Sequence, residues 1–223
     1  MSTVAKVIYS MSGAQTEGLR ARKKRVAREA IAATARRLFA ERGFDAVTVA
    51  EIAAAADVSE KTVFNHFPTK EDLAFADRER GLVQLVADIR ERPPDTPVLD
   101  VFRALTATVI DVLVARGDEE LLTAAKIIRS SPTLQERLTA GWESGAAVVT
   151  AAVAETSGAA EDDLVPGIVA RTLWYTHRSI FLVALHGLLA EEDREQLVAR
   201  LRVAAEEAYA QLAVGFGDYG KHG

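Results

Sequence analysis

The sequence predicts an all-α protein in which a three-helix module precedes a larger helical body. Apolar residues recur every three or four positions through most of the chain, which is the period of an amphipathic helix. No segment shows the sustained two-residue alternation of a half-buried strand. Pro, Gly and acidic residues separate the periodic segments, at positions where helices commonly begin and end. With 223 residues, 49% of them hydrophobic, the chain can form one large core or two modest ones.

The first predicted helix extends from Lys24 to Arg42, about five turns. Its inner face consists of small or apolar residues spaced by four, four and three positions, namely Ala27, Ile31, Ala35 and Leu38. Gly43 follows at the place where helices commonly end in a left-handed residue. Residues 1–19 contain no long apolar stretch, so we expect a flexible tail there and no secretory signal.

The second helix is short and begins at a capping signature. Thr48 is followed three residues later by Glu51, the spacing at which each side chain caps the other residue's backbone amide. The apolar face of this helix comprises Val49, Ile52, Ala53 and Ala56. The turn Asp57-Val58-Ser59 then interrupts it, because Asp tolerates turn conformations and Ser is a good N-cap for the next helix.

The third helix comprises the stretch EKTVFNHF, residues 60–67. Val63 and Phe67 lie one turn apart and are expected to pack inward. The opposite side then presents four polar residues, Lys61, Thr62, Asn65 and His66. Pro68 ends this helix.

Six more helices are expected after Pro68. Thr69 with Asp72 is a second capping signature, and it opens a long amphipathic helix that continues until Pro93. The helices predicted beyond Pro97 cover about 98–116, 118–130, 132–157, 161–189 and 191–214. The body is therefore helical throughout.

Two short helices joined by a three-residue turn and braced by a longer helix form a helix-turn-helix unit, whose second helix can enter the major groove of DNA. Such a helix needs hydrogen-bonding ends or methyl groups: Asn suits adenine, Lys suits guanine, and Thr suits the thymine methyl or a phosphate. Phosphate contacts are expected from nearby residues, including the basic cluster before the first helix. The residues predicted to contact DNA are Arg25, Thr48, Ser59, Lys61, Thr62, Phe64, Asn65, His66 and Lys70.

Charge is distributed unevenly along the chain. The net charge is −5, yet residues 19–67 contain ten Lys or Arg and six Asp or Glu, a local net charge of +4. The remaining residues contain 17 basic and 26 acidic side chains, a net charge of −9. This asymmetry is expected if only the N-terminal end meets a polyanion, although a solvated basic tail would give the same pattern.

The stretch AIAATARRLFAERGFDAVTVAEIAAAADVSEKTVFNHFPTKEDLAFA, residues 30–76, resembles the Tet repressor (TetR) family of bacterial transcription regulators. It contains an LFAERGFDAVTV lead, an EIAAAADVS second helix and a TVFNHFPTKEDL exit in the family's order and spacing. Two positions depart from the family pattern, because Asp57 replaces the usual Gly of the turn and Phe64 replaces the usual Tyr. Without a phenol hydroxyl, Phe64 could pack on a sugar or thymine methyl, or on the core.

The resemblance implies that the rest of the chain is a helical domain that binds an effector and dimerises, with its last two long helices forming a four-helix interface with their copies. The stretch IVARTLWYTHRSIFLVALHGLLA is apolar nearly all round, which fits either a helix between its own core and a partner or the central helix of a monomer. The expected divisions are a tail over 1–19, a helix-turn-helix DNA-binding domain over 20–69, a connecting helix over 70–92, an effector-binding and dimerisation domain over 93–214, and a tail over 215–223.

An effector pocket would bring large side chains and a few polar ends together inside the body. The candidates on inward faces are Phe102, Thr106, Ile110, Ile127, Trp142, Trp174, Tyr175, Arg178 and Phe181. Such residues are more often core than cavity. His177 and Arg178 stand inside an apolar helix, where a charge needs a partner, and we expect that partner to be a protein group. Small residues at 146, 147, 151 and 152 either leave room for a long or flat apolar molecule or allow close helix packing.

The sequence lacks the residues that several other classes of function require. The chain has no Cys, which excludes disulfides, cysteine-based zinc sites and a cysteine nucleophile. The four His residues show no metal-ligand spacing, and GWESG at 141–145 places Ser one position too late for a nucleophile elbow. No apolar stretch is long enough to cross a bilayer. The sequence therefore predicts a protein without catalytic residues, metal, cofactor or membrane span.

The hypothesis is a cytoplasmic, homodimeric repressor whose affinity for a palindromic double-stranded DNA operator falls when a small hydrophobic effector enters the body. Repression is implied by the family resemblance, since an activator would have a similar sequence. The alternative is a non-catalytic helical interaction module that uses its basic end to bind nucleic acid nonspecifically or an acidic partner.

Overall fold

The computed structural model describes residues 19–114, 119–160, 162–217 and 219–221. Every regular element within these ranges is a helix, as predicted. The helices are, in chain order, α1 (Leu19–Arg42), α2 (Val49–Ala55), α3 (Glu60–His66), α4 (Lys70–Ala74), α5 (Ala76–Glu91), α6 (Val98–Val114), α7 (Glu119–Ser130), α8 (Pro132–Ser157), α9 (Val165–Leu189) and α10 (Arg194–Phe216). Apart from Leu19, the predicted N-terminal tail lies outside the described residues, as do the predicted helical residues 115, 116, 118 and 161.

The N-terminal helix begins earlier than predicted. Helix α1 starts at Leu19, so the basic cluster at 20–25 belongs to the helix itself and does not precede it. The reason is that Arg and Lys are good helix formers, and an exposed helical turn needs no apolar face. Gly43 adopts the predicted left-handed conformation, with φ of +82°, and its amide donates to the Phe39 carbonyl at 2.9 Å.

The turn between α2 and α3 follows the predicted chemistry. Thr48 and Glu51 form the capping box at the start of α2. Asp57 takes a left-handed conformation with φ of 55°, in the place where the family usually has Gly. The Ser59 hydroxyl then accepts a hydrogen bond from the Thr62 amide at 3.1 Å and caps α3. Local side-chain chemistry therefore fixes the angle at which α3 leaves the turn.

The predicted connecting helix is divided into α4 and α5 by a break at Phe75, where φ is −109° and ψ is 15°. The two parts differ in their main neighbour: α4 packs mainly on α1 and also contacts α8, whereas α5 packs mainly on α8. Leu73 and Ala76 on either side of the break are buried in the N-terminal core, whereas Leu85 and Ile89 are buried in the body. A continuous amphipathic helix would have to bury the same face in both cores. The break lets α4 and α5 each direct its own apolar face toward its core.

The body contains a second core formed mainly by α5, α6, α8, α9 and α10. Helix α8 has the predicted bounds, whereas α9 and α10 begin at Val165 and Arg194, each several residues after the predicted start. Asp162 and Glu191 lie in turns before these helices, and Glu191 is left-handed with φ of 55°. Asp193 caps α10 by accepting the Gln196 amide at 2.9 Å. None of the described helices is both long and apolar enough to cross a membrane.

Candidate nucleic-acid interface and ligand site

Helix α3 presents a polar face outward because its apolar residues are fixed in the core. Val63 and Phe67 are 1% and 0% exposed and anchor the helix against α1 and α2. Lys61, Phe64 and Asn65 are exposed on the other side. Phe64 is 46% exposed, so its ring lies on the predicted reading face and outside the core. The exposed face is therefore mixed, with two polar side chains and one aromatic ring.

The other polar residues of α3 are partly engaged. The Ser59 and Thr62 hydroxyls lie 2.8 Å apart as part of the cap, and the Thr62 side chain is half-buried. Burial, with the nearby charges of Lys24 and Arg28, lowers the pKa of His66. The imidazole is therefore neutral at pH 7, and its Nδ1 finds no hydrogen-bond partner in the described part of the chain.

The predicted phosphate-contacting residues lie on three different elements around α3. The Thr48 amide and hydroxyl, together with Arg42, hold the pKa of Glu51 at about 2, so the capping box keeps its charge at any physiological pH. The Lys70 ammonium lies 4.2 Å from the centroid of the Phe44 ring. Arg25, on α1, pairs with Glu29 at 3.2 Å. These groups are placed by the fold of the module, each with its own intramolecular contacts.

Arg28 is a residue that the sequence reasoning did not single out. Its guanidinium stacks 4.0 Å from the Phe67 ring centroid, donates to the His66 carbonyl and pairs with Glu79. It thereby ties α1 to the end of α3 and to α5. No sequence signal distinguished it from the other basic residues of α1, because its role depends on which way each helical turn faces.

Two further ion pairs connect the helix-turn-helix module to the body. Arg80 on α5 pairs with Glu29 on α1 at 3.2 Å. Arg137 on α8 pairs with Asp72 on α4 at 2.7 Å, which holds the pKa of Asp72 below its usual value despite partial burial. A shift of α5 or α8 would therefore displace α1 or α4, the helices that support α3.

Most of the predicted effector residues belong to the core of the body or pack against it, and two of them lie beside Trp142. Its ring centroid lies 4.8 Å from that of Trp174 and 5.6 Å from that of Phe181. Phe102, Thr106 and Ile110 are at most 1% exposed and line the same core. Ile127 does not join them, because α7 turns it into the N-terminal core. The structure thus assembles eight of the nine candidates in the body and places one elsewhere.

Some buried polar groups of the body have protein partners, whereas five buried atoms have none among the described residues, namely Arg92 Nε, Arg103 Nε, Trp142 Nε1, Thr150 Oγ1 and Arg178 Nε. His177 Nδ1 and the Tyr209 hydroxyl lie 2.9 and 2.7 Å from the Thr106 hydroxyl. Burial, with the charge of Arg78, lowers the pKa of His177 to about 4, so it is neutral. The partner expected for His177 is therefore Thr106. The Arg178 guanidinium lies 5.8 Å from the Tyr175 ring centroid, and its buried Nε lacks a hydrogen-bond partner among the described residues.

A cavity of about 190 Å³ lies between α6 and α10. Its lining includes Arg103, Asp111, Arg202 and Tyr209 but only one predicted effector residue, Ile110. The Trp174 indole donates to the Trp142 carbonyl at 2.9 Å, which fixes the two rings against each other.

Comparison with known proteins gives matches over both parts of the chain. Residues 31–76 match the model for bacterial regulatory proteins of the tetR family, and residues 96–216 match the model for the MftR C-terminal domain. The second match alone covers more than half of the 223 residues. No curated protein matches the chain significantly.

Among solved structures, the chain is similar to Salmonella enterica GusR, at 24% identity and a TM-score of 0.50 over 86% of this chain and 95% of that chain. SmeT, solved as a triclosan complex, shows 23% identity and a TM-score of 0.51 over 83% and 91%. Native NalD, the secondary repressor of the MexAB-OprM multidrug efflux pump in Pseudomonas aeruginosa, shows 18% identity and a TM-score of 0.50 over 82% and 96%. At these identities the likeness shows the fold.

The family matches and the helix-turn-helix agree with each other and with the resemblance carried by residues 30–76. The matched N-terminal segment contains α2, the turn and α3 in full, and the matched C-terminal segment contains α6 to α10. The chain therefore belongs to the tetR family of bacterial regulatory proteins, DNA-binding transcription regulators with an N-terminal helix-turn-helix, and its C-terminal domain is of the MftR type.

Proposed function

We propose that the protein is a repressor that binds a palindromic operator as a homodimer and leaves it when a small hydrophobic effector enters the C-terminal domain. The observation that carries the DNA part is the outward face of α3, where Lys61 and Asn65 are exposed and the buried Val63 and Phe67 fix their direction. One module reads few base pairs, whereas a two-fold dimer places two modules about 34–36 Å apart on one DNA face.

Each exposed group has a role that fits its chemistry. Asn65 would bond adenine and Lys61 guanine, while Thr62 would contact a thymine methyl or a phosphate. The exposed ring of Phe64 would pack on a sugar or a thymine methyl. Phosphate contacts would come from Arg25, Thr48 and Lys70 around the reading helix. The function requires no catalytic residue and no cofactor.

Exposed apolar residues on the last two helices support a homodimer. On α9, Ile168 is 56% and Val183 is 44% exposed, and on α10 Val203 is 59% exposed. Large apolar side chains in contact with water gain free energy when a partner covers them, and an apolar surface patch commonly marks an interface. A two-fold arrangement of α9 and α10 would cover these residues with their own copies.

The release step requires an effector that prefers the conformer in which the two reading helices are wrongly spaced, typically with a coupling of about 1–3 kcal/mol. Helix α5 is the proposed lever, because it packs on α8 and carries Glu79 and Arg80, which pair with α1. The similar structures support this proposal, since SmeT is a triclosan complex and NalD is named a repressor. A regulator of this kind would act in the bacterial cytoplasm, where its DNA lies.

The test is selection of bound sequences from random duplex DNA with the purified protein. The proposal predicts a palindromic consensus, with binding that weakens steeply as salt is raised because phosphate contacts release counterions. Binding without sequence enrichment that salt abolishes would support the nonspecific interaction module instead.

A further inference from the structure

Arg78, in the first turn of α5, is a partly buried cation without an acidic partner among the side chains that the structure describes. Its guanidinium lies 4.4 Å from the Trp142 ring centroid. No carboxylate of the described residues lies within ion-pair distance of it. Two other arginines of α5 do have acidic partners, since Arg80 pairs with Glu29 and Arg90 pairs with Glu155. Burial, together with the charges of Arg137 and Arg178, lowers the pKa of Arg78 to about 10, so the group stays positive at neutral pH.

The neighbouring helix is shaped to admit this side chain. A Cβ atom built on Gly141 of α8 would overlap Nη1 of Arg78, so the end of the Arg78 side chain would have to shift. Gly141 is inside a helix of 26 residues, where Gly is disfavoured relative to Ala. Its use at this point is explained by the space that the guanidinium needs.

Arg178 adds a second cation to the same place. The charge of Arg178 contributes to the lowered pKa of Arg78. The Arg178 guanidinium lies beside the Tyr175 ring and is partly buried, without an ion pair in the described structure. Glu143 on α8 accepts a hydrogen bond from the Tyr175 hydroxyl at 2.7 Å. Arg137, the third cation, is already paired with Asp72.

A cation removed from water without a counter-charge is unfavourable, and a bound anion would remove the penalty. Arg78 lies against the Trp142 ring and Arg178 beside the Tyr175 ring, and the Phe181 ring packs on Trp142. Tyr175, Arg178 and Phe181 are only partly buried, so the place is open to a molecule from solvent. Arginine forms paired hydrogen bonds with planar carboxylate or with phosphate oxygens.

We propose that the effector is an amphipathic anion, whose carboxylate or phosphate pairs with Arg78 and Arg178 while its flat apolar part lies against Tyr175 and Phe181. The proposal rests on the effector-responsive function inferred above and specifies the ligand class for it. It also provides a link to DNA, because Arg78 immediately precedes Glu79 and Arg80, the residues of α5 that pair with α1. An anion that draws Arg78 toward α8 would alter how α5 is held against α1.

The test is calorimetric titration of the dimer, without DNA, with three naphthalene probes: 2-naphthoate, 2-naphthyl phosphate and the uncharged 2-naphthamide. We expect at least one anion to bind about tenfold or more tightly than the amide, since a charge-assisted hydrogen bond is lost with the amide. The better of the two anions identifies the head group. Arg78→Met, which keeps an apolar side chain over Trp142, should abolish the preference for the anion.

Arg90→Met is the matched control, because Arg90 lies on the same helix but is exposed and paired with Glu155. It should keep the preference for the anion. If Arg78→Met does not fold, Arg178→Met replaces it and should weaken anion binding by a similar factor. Equal binding of anion and amide by the wild-type protein, or no binding of any probe, would overturn the proposal.

The result separates this proposal from the regulatory function. The titration contains no DNA, so a failed operator selection leaves its outcome intact, and a failed titration leaves operator binding intact. When the preferred anion also weakens operator binding by wild-type protein but not by Arg78→Met, the anion is acting as the effector through this site. Anion binding that leaves operator affinity unchanged would contradict the effector role.

Discussion

Phe64 is the residue at which the reading face of α3 differs most from the family pattern. The sequence left open whether its ring would contact DNA or the core. The structure places it on the outer face, 46% exposed, beside Asn65. An apolar ring at this position can contact a sugar or a thymine methyl but cannot donate a hydrogen bond to a phosphate. Base recognition by α3 must therefore rely on its neighbours.

Asn65→Ala tests the orientation of α3. Asn65 is exposed and points away from the buried Val63, so its loss should leave the fold intact. We expect operator binding to weaken by about 1–3 kcal/mol and the preference at one base position to relax. Lys70→Ala is the comparison, and as a phosphate contact it should weaken all DNA sequences alike. Wild-type operator affinity in Asn65→Ala would show that α3 is oriented differently on DNA.

His177 makes the stability of the fold depend on pH. Its pKa is about 4 in the folded protein and about 6.5 when unfolded, so the unfolded chain binds the proton more readily between these values. The contribution of His177 to the free energy of unfolding is therefore fully present above about pH 6.5. It is lost as pH falls toward 4, and the loss is at most about 3 kcal/mol.

Urea denaturation of wild type and His177→Asn at pH 7 and pH 5 would measure this loss. Asn keeps a hydrogen-bonding group for Thr106 and cannot titrate, so the loss between the two pH values should be smaller in the variant. His66 also has a lowered pKa and contributes equally to both proteins. The same pH dependence in both would show that His177 is not the responsible group.

At the scale of elements, the break between α4 and α5 joins the two cores. Residues on either side of Phe75 belong to the N-terminal core, and the rest of α5 belongs to the body. Because α4 is also held to α8 through Asp72 and Arg137, the module is supported from both sides of the break. This arrangement gives the body two contacts with the helices that carry α3.

Helices α8 and α9 approach closely enough that one position between them requires Gly. A Cβ on Gly145 would lie 2.6 Å from Cζ2 of Trp174, whose indole is held by the Trp142 carbonyl. Gly145→Ala should therefore lower the free energy of unfolding by about 1–3 kcal/mol.

The control for this variant is Gly81→Ala on α5, where an added Cβ meets no atom of the described structure within 4 Å. It should raise the free energy of unfolding by about 0.5–1 kcal/mol, because Gly is unfavourable inside a helix. Thermal or urea denaturation measures both changes. Equal stability of Gly145→Ala and wild type would mean that α8 and α9 are farther apart in solution.

At the scale of the molecule, the proposed dimer depends on the exposed apolar residues of α9. Ile168→Glu and Val183→Glu would each bury a carboxylate in the interface, at a cost that an apolar contact cannot offset. We expect monomers by light scattering and a loss of cooperative operator binding. Val83→Glu, at a 67% exposed position on α5, should remain dimeric. A dimeric mass for both α9 variants would place the interface elsewhere.

The sequence by itself determined the features that depend on neighbours along the chain. The capping boxes at Thr48 and Thr69, the left-handed Gly43 and the turn at Asp57 all form as predicted, because their partners are at most four residues away. The helical period also determined which residues of α3 face inward, since Val63 and Phe67 lie one turn apart on its single apolar face. The family resemblance and the all-α fold follow from these same local patterns.

Only the tertiary structure decided the features that depend on distant parts of the chain. The break at Phe75 arises because two separate cores compete for one amphipathic segment, and Ile127 joins the N-terminal core because α7 packs on α1. Arg78 looks in sequence like any basic residue of an exposed helix, yet packing against Trp142 and Gly141 buries it without an acid. Whether a charge is solvated, paired or left for a ligand is set by which surfaces meet, and helical periodicity does not encode that.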